Sequence, residues 1–212
     1  MPDYEIMPSG KKIYTDPVNA IQQDGLLLAA FAAVKGSSRA VDLGCGCGTV
    51  GFLLAERAGQ VLMVDINPGA VELAKRTAAE GGFCNIELLC ADIRDWRTEI
   101  KYDAVVCNPP YFTDGPVSAN GDRATARHAL AMTLDDAAAA AARSLKQGGD
   151  FCVCCPPARL AGLFFSLKSK KLEPKTLSLV RNAAGRRWLA LVRASYCGGE
   201  GLTITDDILS EV

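Results

Sequence analysis

At 212 residues the chain has room for one well-buried domain and little for two. Its 49% apolar and 22% charged composition reads as that of a soluble globular protein, and its longest apolar run, Leu26 to Val34, falls far short of the roughly 20 residues a bilayer span requires. Net charge is −1, which exerts no global pull on nucleic acid, and an opening of Met1-Pro2-Asp3-Tyr4-Glu5, with neither basic start nor apolar stretch, makes a cytoplasmic location the expectation.

Residues 4–14 predict two short strands in a hairpin around Pro8-Ser9-Gly10, and 24–34 an apolar helix. After Gly36-Ser37-Ser38 the pattern becomes strand and helix in alternation. Strands are predicted near 39–43, 60–65, 85–90, 102–107 and 150–155, and helices near 48–58, 68–80, 133–146 and 157–169. Apolar strands separated by helices indicate an α/β fold with a parallel sheet covered on both faces. Two last strands, near 172–181 and 187–195, follow one another across Asn182-Ala183-Ala184-Gly185 without a helix, which predicts an antiparallel hairpin at the sheet edge. No element is predicted between 108 and about 130, and long connections of that kind are usually functional. Of nine cysteines, most sit in apolar runs such as 151–155, and a single histidine offers little toward a zinc site. Reduced core thiols and no metal are expected.

Val41-Asp42-Leu43-Gly44-Cys45-Gly46-Cys47-Gly48 follows the first of the alternating strands and opens a helix, the place where a ligand approaches the backbone closely. Gly46 to Gly51 also satisfies the G-x-G-x-x-G dinucleotide pattern. Asp42 argues against a pyrophosphate, which its charge would repel, and suits an ammonium group. Asp65, ending the next strand, suits ribose hydroxyls, and Asp92, after the third, suits an adenine amine. Together they predict S-adenosylmethionine, with S-adenosylhomocysteine as product. Leu43, Gly44, Gly46, Gly48, Ile66, Ile93 and Asn108 complete the expected cofactor-binding set.

Asn108-Pro109-Pro110-Tyr111-Phe112 follows the strand 102–107. The two prolines lack N–H groups and leave carbonyls free to accept. The Asn108 side-chain oxygen and the Pro109 carbonyl would each accept one N–H of a ring-bound amine, and Tyr111 would stack on the ring. Asn108, Pro109 and Tyr111 are therefore the expected catalytic residues. Between Arg159 and Arg193 lie nine basic residues against one acid, Glu173, a pattern suited to a phosphate backbone and equally to a solvated face.

On these motifs the chain resembles class I methyltransferases of the N6-adenine type, and within them the tRNA(Val) adenine-N6 methyltransferases, which modify the purine 3′ of the anticodon. Three further segments carry the resemblance. Gln23-Asp24-Gly25-Leu26-Leu27-Leu28 is similar to the family's Asp-Gly/Ala-Leu-Leu element, Ala126-Arg127-His128 to its Ala-Arg-His, and Lys171 to Lys175 to the lead into its penultimate strand. Ala129 stands where the family has a glutamate. The resemblance implies a doubly wound, Rossmann-like fold with a mostly parallel seven-stranded sheet and an antiparallel C-terminal edge hairpin. It also implies a single methyltransferase domain over 1–212, with 1–38 as hairpin and helix and 39–200 as core. An RNA partner is implied, a tRNA anticodon stem-loop, held by a monomer or weak homodimer with no membrane contact. Pro110, Tyr111, Phe112, Arg127, His128, Arg186 and Arg187 are the expected substrate-facing residues. Arg127 reads equally as a phosphate contact or a surface residue, and His128 as structural, since this transfer needs no general base. Asp24 is expected to cap the helix at 24–34, the alternative being that it reaches the cofactor site. Glutamine-amide methylation of a protein, methylation of another RNA or DNA amino group, and a non-catalytic RNA-binding scaffold are the competing readings.

Overall fold

The structure, a computed structural model, describes residues 3–110 and 132–210. A hairpin of β1 (Asp3–Ile6) and β2 (Lys12–Thr15) leads into α1 (Gln23–Phe31). Then follow β3 (Arg39–Leu43), α2 (Thr49–Ala55), β4 (Gln60–Asp65), α3 (Pro68–Glu80), β5 (Ile86–Cys90) and β6 (Tyr102–Cys107). After the undescribed stretch come α4 (Leu134–Ser144), β7 (Leu145–Cys155), a short 3-10 turn, α5 (Leu160–Ser169), β8 (Leu172–Arg181) and β9 (Arg187–Tyr196). Two-residue strands β10 (Thr203–Ile204) and β11 (Ile208–Leu209) complete the described elements.

The sheet order is β10-β8-β9-β7-β6-β3-β4-β5, with β11 also on β8. Strands β3 to β7 pair in parallel, and β9 runs antiparallel between β7 and β8. The predicted terminal hairpin forms, but its second strand lies inside the sheet, and β8 is covered in turn by β10 and β11, which sequence periodicity did not mark. Two residues are too short to carry a period. Strand β7 also starts earlier than expected, directly after α4 at Leu145.

Side chains alternate across the sheet and feed two cores. Ala40, Val61, Met63, Ala104, Val106, Cys152 and Cys154 pack beneath α1, α2 and α3, together with Met7 and Ile13 of the hairpin. Val41, Leu43, Val64, Val105, Phe151 and Val153 pack beneath α4 and α5. The helices start where their chemistry dictates. At α3 the Asn67 side chain accepts from Gly69 N–H and Pro68 supplies the preset φ of the first turn. At α4 Thr133 and Asp136 form a reciprocal capping box. Six of the nine cysteines are buried, Cys84, Cys90 and Cys197 are exposed, and no group of potential metal ligands occurs among the described residues. No described helix is long and apolar enough to cross a membrane.

Candidate active site

A cavity of about 550 Å³ opens at the carboxyl ends of the parallel strands. Of the acidic residues that line it, three stand at strand ends: Asp42 in β3, Asp65 ending β4, and Asp92 just after β5. The turn from β3 into α2 forms the floor. There Gly44 and Cys45 donate to the Val64 carbonyl at 2.8 and 3.1 Å, tying the turn to the neighbouring strand. Gly46 has φ +55°, and a Cβ added there would meet nothing nearer than Asn19 Oδ1 at 3.6 Å, so its missing side chain is space within the cavity. Gly48, at φ +98°, serves packing instead: a Cβ would stand 2.5 Å from the Phe52 ring.

Each carboxylate is held differently. Asp42 is 1% exposed and its Oδ2 accepts from Gly51 N–H at 2.8 Å. Loss of hydration pushes its carboxyl up to about 7, the single hydrogen bond offsetting only part of the cost and the nearby Asp65 charge adding to it. Asp65 spans the turn, with Oδ2 accepting from Gly46 N–H and Oδ1 from Asn67 N–H, both at 2.8 Å. A carboxylate has about four acceptor sites, so two bonds leave room for a diol. Asp92 is gripped by Arg94, whose Nε lies 2.9 Å from both oxygens and Nη2 2.6 Å from Oδ2, and this guanidinium holds the Asp92 carboxyl below its usual range. Ile66 and Ile93 line the cavity beside these acids as two apolar walls.

Asn108, Pro109 and Pro110 line the same cavity from the tip of β6. The Asn108 amide oxygen accepts from the Cys154 thiol at 3.1 Å. Leu43 and Gly48 are not among the lining residues. Leu43 points to the α4 side of the sheet, opposite Asp42, because neighbours in a strand face opposite ways. Tyr111, Phe112, Arg127 and His128, with Ala129, lie outside the described residues.

Sequence reasoning missed one wall. Val18, Asn19, Ala20 and Gln22, ahead of α1, line the cavity along with Asp24, Gly25, Thr49, Val50 and Met132. Asp24 is not the expected cap: Gln22 occupies that position without a side-chain bond, while Asp24 is buried in the first turn, facing the cavity, with Oδ1 accepting from Gly25 N–H at 2.7 Å. The adjoining Gly25 was the available signal.

The basic run does not form one face. Strand β8 is antiparallel to β9, which is antiparallel to β7, so β8 runs with the parallel strands. Lys168, Lys170 and Lys171 therefore gather at the edge remote from the cavity, while Arg181, Arg186 and Arg187 share the cavity's edge. Much of the charge is answered internally: Lys168 by Glu173, Lys170 by Asp135, Arg187 by Asp207 and Arg193 by Asp150. Arg186 carries no ion pair among the described residues.

A doubly wound sheet of this order, with a cavity over the glycine turn of its first parallel strand, defines the class I methyltransferase fold. The chain superposes on a predicted O-methyltransferase from Agrobacterium tumefaciens with a TM-score of 0.69 and 21% identity, covering 87% of this chain and 86% of that one. A ribosomal protein L11 methylase from Lactobacillus delbrueckii gives 0.59 and 20%, covering 81% and 76%. The methyltransferase small domain family matches residues 22–158, well over half of the chain, and the chain belongs to that family. A curated relative from Enterobacter, a tRNA1(Val) (adenine(37)-N6)-methyltransferase, is 35% identical over 139 residues, which are 63% of this chain and 57% of the relative. The chain thus spans somewhat more than half the length of the curated relatives it matches.

Proposed function

We propose that the protein transfers a methyl group from S-adenosylmethionine to the exocyclic N6 of an adenine in RNA, and that this adenine is position 37 of a tRNA, beside the anticodon. The observation that carries the reading is a single cavity bounded by the glycine turn, three strand-end carboxylates and the Asn108-Pro109-Pro110 tip. The residues fit this donor. Its volume suits a nucleoside, Gly46 leaves backbone open where a side chain would intrude, and Asp65 retains acceptor sites for a ribose. Asp42 would face the ammonium group, and Asp92, with Ile66 and Ile93, the adenine. The name shared by the curated relatives supports the substrate.

Bound there, the donor supplies an electrophilic methyl group on a sulfonium sulfur. An amine on an aromatic ring is a poor nucleophile because its lone pair is delocalised. The Asn108 oxygen and the Pro109 carbonyl each accept an N–H, which confines that pair to nitrogen. As the N–C bond forms and the C–S bond breaks, the nitrogen gains positive charge, and its proton leaves to water without a strong base. Tyr111 and Phe112 stack on the base, Arg127 and His128 border it, and Arg186 and Arg187 hold phosphates on the cavity's edge. An anticodon loop presents its bases unpaired, which suits a protein that must take one base out of its stack. Acting on tRNA, the protein works in the cytoplasm.

The test offers methyl-tritiated donor to tRNA, rRNA, DNA and protein fractions. Label is expected in tRNA and, after digestion, in N6-methyladenosine. Asn108→Ala is expected to abolish transfer while leaving donor affinity within a few-fold. Label in protein, or a comparable rate from the variant, refutes the reading.

A further inference from the structure

We propose that Asp24 is the residue by which the cavity tells the methyl donor from its product: its carboxylate faces the sulfonium charge that methyl transfer removes. The inference rests on the reading that S-adenosylmethionine fills the cavity with its reacting end at the Asn108-Pro109-Pro110 tip. Asp24 is 7% exposed, lines the cavity, and stands in the first turn of α1, where the N–H groups of a helix start favour a negative charge. Its Oδ1 accepts from Gly25 N–H at 2.7 Å, and its Oδ2 takes neither a hydrogen bond nor an ion pair among the described residues. Its neighbour fixes its place along the cavity. A Cβ on Gly25 would stand 3.7 Å from Asn108 Nδ2, 3.5 Å from Val50 Cγ2 and 3.9 Å from Thr49 Cγ2. Asp24 therefore sits beside the β6 tip, whereas Asp65 is tied to Gly46 and Asp92 to Arg94 at the end read as that of the ribose and adenine.

No Lys, Arg or His is among the described residues that line the cavity, so the charge of Asp24 is unanswered there until a cation enters. A buried charge without a partner is costly, and a cationic ligand offsets that cost. S-adenosylmethionine carries a sulfonium, an ammonium and a carboxylate, one net positive charge; S-adenosylhomocysteine keeps only the last two and is neutral overall. As the N–C bond forms and the C–S bond breaks, the C–S electron pair stays on sulfur and the sulfonium becomes a thioether. The positive charge passes to the target nitrogen and leaves with its proton. Asp24 then stands against a neutral sulfur, and the carboxylate that draws the donor in favours release of the product. Asp42 lies deeper, 1% exposed and bonded to Gly51 N–H, and is read as facing the ammonium that both ligands keep, so it does not distinguish them.

The test measures, by titration calorimetry on the full chain, the dissociation constants of S-adenosylmethionine, S-adenosylhomocysteine and sinefungin, in which a carbon bearing an ammonium group replaces the sulfonium sulfur. Asp24→Asn keeps the shape and an acceptor for Gly25 N–H and removes the charge; Asp42→Asn is the comparison. Asp24→Asn is expected to weaken S-adenosylmethionine and sinefungin by about 10- to 100-fold, the effect of losing a close charge partner in a partly dry site, and S-adenosylhomocysteine by less than about 3-fold. Asp42→Asn is expected to weaken all three alike. Should the asparagine variant not fold, Asp24→Ser carries the same expectations. Equal losses for donor and product, or no loss for either, overturns the proposal. So does a loss for S-adenosylmethionine that sinefungin does not share, which marks a contact to the methyl group alone, or a charge preference that vanishes in Asp42→Asn instead. If the wild type binds none of the three ligands, the donor reading itself fails; binding without the Asp24 effect defeats this inference alone.

Discussion

The Asp42 carboxyl has traded its water for one backbone hydrogen bond, and its elevated value makes the fold pH-sensitive in a definite direction. Between the ordinary carboxylate value of 3.8 and about 7, the folded chain holds a proton that the unfolded chain has released. Stability then falls as pH rises: the contribution is fully present below about pH 4 and is lost as pH climbs through about 7. Every tenfold difference in proton affinity between the folded and unfolded chain is worth about 1.4 kcal/mol, so the effect is large against a net stability of roughly 5–15 kcal/mol. Asp42→Asn keeps an acceptor for Gly51 N–H and carries no charge. Thermal melts from about pH 5 to about pH 8 are expected to show a falling midpoint in the wild type and a flatter one in the variant; parallel curves would contradict the assignment. The presence of Asp42, Asp65 and Asp92 at strand ends was legible from spacing. That Asp42 is sealed from water, that Leu43 faces away, and that Arg94 already grips Asp92 were not, because strand spacing does not report what covers a side chain.

At the scale of elements, strand direction decides which charges can act together. Ten residues of β8 at about 3.3 Å each separate Lys171 from Arg181 by roughly 30 Å, several times the screening length of about 8 Å at physiological salt. Lys168, Lys170 and Lys171 therefore lie at the opposite end of the sheet from Arg181, Arg186 and Arg187. Under the proposed function, Arg186→Ala is expected to weaken tRNA binding and to reduce the slope of log affinity against log salt by about 0.7 to 0.9, whereas Lys171→Ala leaves both unchanged. Binding measured over a salt series checks this, and equal effects from the two variants would return the whole run to the binding surface. The hairpin itself was legible from its two apolar runs and the Asn182–Gly185 break. Its insertion of β9 between β7 and β8 was not, since neither strand's composition names its neighbour.

For the whole molecule, the two cores share every strand from β3 to β7, with alternate residues such as Val105 and Val106 or Phe151 and Cys152 serving opposite faces. The N-terminal hairpin is tied to α3 through Tyr14 N–H on Thr77 Oγ1 at 2.9 Å and through the Tyr14 hydroxyl on Glu80. Neither layer keeps a covered core without the other. Calorimetry is expected to show one endotherm with equal calorimetric and van't Hoff enthalpies, raised by about 2.7 kcal/mol of stability when the methyl donor is present at roughly a hundred times its dissociation constant. Two resolved transitions would divide the chain into separate folding units.

Strand and helix order, the glycine turn, the three acids and the Asn-Pro-Pro tip were written in the sequence, because each depends on periodicity, backbone freedom or spacing within a few residues. Tertiary structure alone decided that Val18, Asn19, Ala20 and Gln22 wall the cavity, that Cys154 reaches Asn108 across 46 positions, and that the basic run divides. Those relations depend on which strands become neighbours and which way they run, and that is settled by burying two apolar faces at once, not by any local stretch of chain.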